Sequence, residues 1–298
     1  MILADNKDIL IKKSNQPKNH KLSLLNDIYV EPGSIEDWNL LHELHYKADN
    51  LGIGPKYFKC TIHDTTIGVG VMTVPRMLGS GRNELFKHLR PNVDGLDTKV
   101  INTHRAKWMN SHICLHSRLV LDTIYRGAGI AYRMQNVMMR MTGCKIIEFQ
   151  SSMSKFNPFA LRAGVKFTRP RRASGYKDGL AWFRRWFESI PTDFVGVMKE
   201  LEEMPEPIRK KCISEMRKFY YDHSSMEKSG DNRLNGTSRV DGLEVEKLLK
   251  NLQQLIFASP LYGVYINPDY GIALPERLPI IAFDNQPVDA PLNLSALK

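Results

Sequence analysis

A strand-like run passes through a glycine turn into an amphipathic helix in residues 117–131, SRLVLDTIYRGAGIA. The apolar run over residues 113–121 predicts the strand, and apolar residues at helical spacing predict a helix that starts at Ile130. A helix begins with unpaired backbone N–H groups and a partial positive charge. Small residues let a pyrophosphate approach those groups, and the turn has three of them: Gly127, Ala128 and Gly129. Because Arg126 adds a formal charge, the turn predicts an anion site.

Two other nucleotide-binding turns also place glycines before a helix. A P-loop ends in Gly, Lys and Ser or Thr, and residues 126–131 have no such ending. The dinucleotide fingerprint has a third glycine that the spacing here lacks, and no run of alternating strands and helices precedes the turn. The sequence therefore excludes both alternatives.

The spacing Arg126, two residues, Gly129, one residue, Ala131 resembles the acyl-CoA pyrophosphate motif of the GNAT (Gcn5-related N-acetyltransferase) superfamily. The preceding segment, 118–122, resembles the fourth strand of that family. The other elements follow in matching order over residues 28–168: a first helix, a hairpin, this strand and helix, a fifth strand and a short helix. The resemblance implies an α/β (α+β) fold, a mixed and mostly antiparallel central sheet flanked by helices.

Three short segments resemble a less common branch of the family: His45-Tyr46-Lys47, Ser117-Arg118 and Phe156-Asn157-Pro158-Phe159. This branch comprises acyltransferase domains attached to ABC-type ATPases. A more distant similarity is to the phage Mom-type enzymes, which modify adenine in DNA. The resemblance thus implies an acyltransferase of the EC 2.3.1 type and offers nucleic acid as one class of acceptor.

The resemblance also implies which residues bind the donor, acetyl-CoA or another acyl-CoA, or an acyl or aminoacyl donor in its place. Backbone groups of one strand segment would pair with the pantetheine arm: Leu119, Val120 and Leu121. Backbone N–H groups of the turn would hold the pyrophosphate: Arg126, Gly127, Ala128, Gly129, Ile130 and Ala131. The helix from Asn157 would flank the thiol. The chain departs from the family at Ala160, where many members have a tyrosine general acid.

Amine acylation needs a neutral nucleophile, so a group that accepts a proton near neutral pH contributes typically 10² to 10⁴ in rate. The topology brings several candidates near the thioester, and with the residue that flanks the thiol they form the predicted catalytic set: His45, His116, Ser117, Ser152 and Asn157. Structural roles compete with these assignments. His45 also fits a helix end, and Ser152 fits an ordinary position in a strand.

Positive charge is concentrated in residues 99–190, where 17 Lys and Arg face four acidic residues, a net charge of +13 against +10 for the whole chain. A local field of this sign attracts phosphates. The predicted nucleic-acid contacts are Arg133, Arg140, Arg169, Arg171, Arg172, Arg184 and Arg185. Neighbouring aromatic residues fit either stacking on unpaired bases or a packed core: Tyr176, Trp182, Phe183, Trp186 and Phe187. The sequence leaves these two interpretations open.

Three regions are predicted: a flexible basic arm (1–25), a GNAT domain (26–190) and a helical, Pro-rich C-terminal extension (191–298) with a mobile polar stretch at 223–241. The four cysteines include no pair at metal-binding spacing, and His42 with His45 lacks a third ligand, so no metal is predicted. No signal peptide or membrane span is recognisable, which favours a cytoplasmic protein, in the host cytoplasm if a phage encodes it. The oligomeric state stays open.

Three functions remain. The first, which the concentrated positive charge favours, is acylation of an amine on a nucleic acid, either a DNA base or a tRNA. The second is N-acetylation of a small-molecule or protein amine, and the third is a binding protein that keeps the fold without catalysis. The dependence of binding on salt distinguishes the first two, because polynucleotide binding releases counterions.

Overall fold

The computed structural model describes residues 22–45, 51–90, 95, 97–155, 157–168, 175–228, 230–257 and 260–297. The strands are β1 (Ile28–Gly33), β2 (Lys56–Ile62), β3 (Thr65–Thr73), β4 (Ile113–Leu121), β5 (Ile146–Ser151), β6 (Lys166–Phe167), β7 (Leu261–Ile266) and β8 (Leu278–Pro279). The helices are α1 (Ile35–Leu41), α2 (Ser80–Leu85), α3 (Thr98–His112), α4 (Ile130–Met141), α5 (Phe159–Arg162), α6 (Tyr176–Trp186), α7 (Phe194–Glu203), α8 (Glu206–His223), α9 (Ser238–Asp241) and α10 (Val245–Phe257). Short 3-10 helices include Ser23–Asp27, His42–Leu44, Gly230–Asn235 and Ile280–Asn285.

The contacts of the chain group into two compact units that interleave along the sequence. Unit 1 comprises Met1–Val74, Asn110–Lys145 and Ile266–Lys298, and unit 2 comprises Pro75–Met109 and Ile146–Tyr265. The grouping differs from the boundaries predicted at residues 25/26 and 190/191, because the last segment of the chain packs with the first. Most of the predicted arm, residues 1–21, lies outside the described residues. In the part that is described, Leu25 is buried.

Unit 1 contains an antiparallel sheet with the strand order β4-β3-β2-β1-β8. Strand β1 pairs with β2 and β8, and β3 pairs with β2 and β4, all antiparallel. The hairpin of β2 and β3, the strand β4 and the helix α4 lie where the sequence predicts them. The predicted fold class, a mixed α/β fold with a mostly antiparallel sheet flanked by helices, is confirmed.

Helix α1 begins at a capping box, as its serine predicts. Ser34 Oγ accepts the N–H of Asp37, and Asp37 Oδ2 accepts the N–H of Ser34 at 2.9 Å. One helical face then buries Trp38 and Leu41 against β3 and β4. The contact includes Val120, so α1 supports the strand that leads into the glycine turn.

Two methionines of helix α4 pack over two glycines of β3. A Cβ atom at Gly70 would lie 2.1 Å from Met138 Sδ, and one at Gly68 would lie 3.2 Å from Met134 Sδ. The missing side chains let α4 lie close to the sheet. This packing fixes the axis of α4, and thereby the place of the turn at its start.

Unit 2 contains the strand order β6-β7-β5, with β6 and β7 antiparallel, and a helical core. The core comprises side chains from α6, α7, α8 and α10, among them Trp182, Phe183, Met216 and Leu252. The predicted helices at 207–221 and 243–257 correspond to α8 and α10. In the predicted mobile stretch the structure instead has a 3-10 helix and α9, with Glu227 and Val240 buried.

Strand β7 and helix α3 were not predicted from the sequence. The buried side of α3 includes Arg105, which donates hydrogen bonds to the carbonyls of Leu89 and Met77. An arginine on the inner face weakens the apolar periodicity by which a helix is recognised. In the described residues no helix is long and apolar enough to cross a membrane.

Candidate functional site

The turn between β4 and α4 is built by two glycines in left-handed conformations. Gly127 has φ +87° and Gly129 has φ +78°, and Gly129 is the residue that precedes the first turn of α4. Other residues reach this region of φ only at a cost. Upstream, Asp122 Oδ1 accepts the N–H of Ile124, and Arg126 Nε donates to the Leu121 carbonyl at 3.2 Å. These bonds connect the turn to the end of β4.

The turn presents backbone donors at the protein surface. Within the described part of the chain, the structure records no acceptor for the N–H groups of residues 127–130. Arg126 and Gly127 are exposed, Gly129 is half-buried and Ile130 is buried. A helix N-terminus with unpaired N–H groups and an exposed guanidinium is suited to a phosphate. The residues present therefore fit a pyrophosphate group.

Strand β4 carries an irregularity at a predicted catalytic residue. Val71 is opposite Arg118 and Met72 is opposite His116, so Ser117 has no partner position on β3. Such a bulge re-aims side chains, and bulges are frequent beside active sites. Ser117 Oγ donates to the carbonyl of Leu51 at 3.1 Å, while Arg118 Nη1 donates to the Ser117 carbonyl and Oγ.

The two histidine candidates lie in unit 1 and interact electrostatically. The pKa of His116 is lowered to about 4, mainly by burial and also by the charges of Arg118 and His45, while a backbone hydrogen bond opposes the shift. His45 is half-buried, with its ring 6.3 Å from that of Trp38. At neutral pH His116 is uncharged, but its pKa lies well below the value that suits a general base. His116 therefore fits that role poorly, and a catalytic role for His45 stays a prediction.

The low pKa of His116 predicts a loss of stability in acid. The unfolded chain binds a proton near pH 6.5 and the folded protein near pH 4. As the pH falls between these values, the free energy of unfolding should decrease by about 3 kcal/mol from this group. Urea unfolding at pH 4 to 7 checks this. In His116→Gln this part of the pH dependence should be missing, and equal slopes in both proteins would contradict the assignment.

The remaining catalytic candidates lie in unit 2 and have local structural roles. Asn157 is exposed, and its side-chain oxygen accepts the N–H of Phe159 at 3.1 Å, which forms an Asx turn just before α5. Ser152 is half-buried and follows β5 directly. Ala160 is buried and supplies no acid. Catalytic roles for Ser152 and Asn157 stay a prediction.

Two of the predicted nucleic-acid contacts are wrong in their placement. The sequence places Arg133 and Arg140 on an exposed stripe of α4, but both are buried. Arg133 pairs with Asp284, and Arg140 pairs with Asp269 at 2.5 Å. The carboxylates come from the C-terminal segment of unit 1, which covers this face of α4. Neither guanidinium is therefore available to a polynucleotide phosphate.

The other predicted contacts divide into two groups. Arg169, Arg171 and Arg172 lie outside the described residues. Arg184 and Arg185 are exposed, and Arg185 pairs with Glu215. The open question about the aromatic residues is decided for Trp182, Phe183 and Phe187, which are buried in the helical core of unit 2. These three rings are not available for base stacking.

Two cysteines form a thiol pair in unit 1 that sequence spacing does not reveal. The pKa of Cys144 is lowered to about 7, mainly by a hydrogen bond from the Cys114 thiol and also by the charge of Lys56 and a hydrogen bond with Thr142, while burial opposes the shift. The Cys144 side chain is half-buried. Burial raises the pKa of Cys60, and it raises that of Cys212 to about 12.

Cys144 should therefore be the most reactive of the four cysteines, because the thiolate is the nucleophile. At pH 7.5 we expect iodoacetamide to modify Cys144 at least about tenfold faster than Cys60 or Cys212. Peptide mass spectrometry during a time course measures the four rates. Replacement of Cys114 by serine retains a hydroxyl donor and serves as the matched variant. Equal rates at all four positions would contradict the prediction.

In the described residues no group of three or more His, Cys, Asp and Glu side chains could hold a metal ion.

Two site-adjacent carboxylates, Asp269 and Asp284, were not predicted from the sequence. Both side chains contact α4 across more than a hundred residues of sequence, so no local spacing relates them to it. The sequence feature that could have indicated such partners is the presence of Arg133 and Arg140 in a helix whose other residues are largely apolar.

Fold and turn together define the class: a mixed α/β protein in which a glycine turn joins an antiparallel strand to a buried helix. No protein-family model matches the chain, and no curated protein matches it. Among solved structures, the apo crystal structure of a mutant agmatine N-acetyltransferase is similar, with 12% identity and a TM-score of 0.30 over 49% of this chain and 86% of that one. A TM-score this low carries no weight for function. The assignment to an enzyme class therefore rests on the turn and on the order of elements.

Proposed function

We propose that the protein transfers an acyl group from an acyl-CoA donor to an amine. The observation that carries this proposal is the turn at residues 126–130, where two left-handed glycines precede α4, the described residues provide no recorded acceptor for the N–H groups of residues 127–130, and Arg126 is exposed. Its position, after an antiparallel strand and before a helix packed on the same sheet, agrees with the order of elements in GNAT enzymes. Arg126 and the N–H groups would hold the donor pyrophosphate.

In this reaction the amine nitrogen attacks the thioester carbonyl, the C–S bond breaks, and CoA leaves as the thiol after it gains the proton that the amine loses. The chain has two tasks, which are to place the thioester and to accept the proton. Strand β4 leads into the turn through a short 3-10 helix at Thr123–Tyr125, and its residues 119–121 would place the pantetheine arm. His45 is the candidate proton acceptor, and the bulge at Ser117 shapes the adjoining stretch of β4.

The acceptor class is a separate proposal, and we favour a small-molecule or protein amine. The prediction of a nucleic-acid acceptor depended on arginine and aromatic residues, and Arg133, Arg140 and Trp182 are buried. Among the described residues, the exposed Arg184 and Arg185 still favour nucleic acid, as does the net charge of residues 99–190. Net charge alone is an argument about non-specific association.

Calorimetric titration of the full-length protein with acetyl-CoA tests donor binding. Release of the CoA thiol is then followed with a diamine, a lysine-containing peptide, tRNA and single-stranded DNA as acceptors, at low and at moderate salt. Thiol release with an amine and no steep salt dependence supports the proposal. Activity confined to nucleic acid and lost as salt rises would establish the alternative acceptor. Binding without thiol release from any acceptor would indicate a protein that keeps the fold without catalysis.

A further inference from the structure

One guanidinium connects the glycine turn to the C-terminal segment of unit 1. Arg133 Nη1 donates to the Gly129 carbonyl at 2.9 Å. The other side of the same group donates to both carboxylate oxygens of Asp284, from Nε at 3.0 Å and from Nη2 at 3.1 Å. The side chains are only 10% and 13% exposed, so solvent screens the pair weakly.

Aromatic packing reinforces this connection. The ring of Tyr132 meets that of Phe283 edge to face, with centroids 5.3 Å apart. Arg133 Cζ lies 4.8 Å from the centroid of the Tyr132 ring. Two neighbouring residues of α4 thus contact two neighbouring residues of the C-terminal segment, Phe283 and Asp284. Together the two contacts restrict rotation and translation of the start of α4 relative to this segment.

The hydrogen bond from Arg133 to the Gly129 carbonyl also sets the direction of a neighbouring backbone N–H group. The carbonyl of Gly129 and the N–H of Ile130 belong to one planar peptide group and point in opposite directions. When Arg133 fixes the carbonyl, it fixes the N–H of Ile130 as well. Because Gly129 has backbone freedom that other residues lack, an external restraint on this peptide group is effective.

We infer that Arg133 and Asp284 are positioning residues for the donor pyrophosphate, an inference that rests on the proposed function. The pair is neutral as a whole, so it contributes geometry and no net charge at the turn. The formal charge comes from Arg126. Asp284 makes the C-terminal segment part of the donor site although no residue of that segment belongs to the turn.

The chain supplies a matched control in the pair Arg140 and Asp269. It joins the same helix to the same segment, about two turns further along α4. Arg140 donates to Asp269, to Asn136 and to the carbonyls of Val288 and Ala290. None of these recorded hydrogen bonds involves a residue of the turn, so we expect this pair to contribute to stability without setting a donor for the pyrophosphate.

The test compares Arg133→Met/Asp284→Leu with Arg140→Met/Asp269→Leu in the full-length protein. Each double variant removes one neutral pair and leaves the net charge unchanged. Affinity is measured for CoA, which carries the pyrophosphate, and for pantetheine, which does not, and the melting temperature is recorded for each protein. We expect the first variant to bind CoA about tenfold more weakly, with the affinity for pantetheine within about twofold of the wild type. The second variant should keep the wild-type ratio of the two affinities.

The ratio of the affinities is measured within one protein, so partial unfolding does not change it. If Arg133→Met/Asp284→Leu does not fold, Arg133→Lys replaces it, because an ammonium group lacks the planar fork that reaches both Asp284 and Gly129. Wild-type CoA binding with an unchanged ratio in the variants would overturn the inference and leave the proposed function intact. Failure of the wild-type protein to bind CoA would overturn the proposed function first, and that outcome is visible without any variant.

Discussion

Replacement of Gly129 by glutamate should weaken CoA binding by about a hundredfold or more, equivalent to roughly 2.7 kcal/mol. Residue 129 has φ +78°, and a Cβ atom there would lie 2.7 Å from Arg133 Nη1 and 3.2 Å from Tyr132 Oη. Any side chain must therefore displace the group that holds the Gly129 carbonyl. A carboxylate adds repulsion at the place proposed for the pyrophosphate. Calorimetric titration with CoA measures the effect.

Gly143→Glu is the matched control for this change. Gly143 follows α4 at its other end with φ +70°, and a Cβ atom there would meet no atom within 4 Å. Both variants introduce the same side chain at a left-handed residue and should lose about 1 to 2 kcal/mol of stability through backbone strain. Only Gly129→Glu should lose affinity for CoA. Similar CoA affinities in the two variants would remove the turn from the donor site.

Removal of the Glu148 side chain should produce the largest loss of stability, about 3 to 5 kcal/mol. Glu148 and Arg82 are both 2% exposed, and two parallel bonds of 2.5 Å join them. Tyr262 Oη donates to the same carboxylate at 2.6 Å. Glu148→Ala leaves the guanidinium buried without its carboxylate, which is the costly way to break such a pair. The midpoint of urea unfolding reports the change.

Two control variants allow the loss of stability in Glu148→Ala to be interpreted. Glu206→Ala breaks an exposed pair with Lys210, whose side chain is 75% exposed, and should change stability by less than about 0.5 kcal/mol. Arg82→Met/Glu148→Leu removes both buried charges and should recover much of the loss. A loss below about 1 kcal/mol in Glu148→Ala would show that water reaches this pair.

Elements whose formation depends on neighbouring residues were predicted from local sequence patterns. The hairpin of β2 and β3 follows from period-two runs around a turn, and α1 follows from a serine that can cap it. The turn at residues 126–129 was predicted as an anion site because only small residues fit there. Strand β7 was missed, although its six-residue apolar run, LYGVYI, is typical of a strand.

The candidate site was predicted in part. The donor turn could be read from glycines and one arginine that adjoin in sequence. The proton acceptor could not be chosen, because the difference between His45 and His116 comes from burial, which lowers the pKa of His116 to about 4. The pairing of Cys114 with Cys144 joins the start of β4 to the residues after α4, and spacing gave no sign of it.

By itself the sequence determined β4, the glycine turn and α4, since these depend on side-chain periodicity and on backbone conformations that few residues adopt. Only the tertiary structure decided what the arginines of α4 do. Two arginines seven residues apart lie on the same side of a helix, and this spacing is the same whether that side is exposed or buried. Asp284 and Asp269 lie 151 and 129 residues away in sequence from Arg133 and Arg140, and folding brings the carboxylates to them. A buried guanidinium is stable only with such a partner, so the partner fixed the role of each arginine.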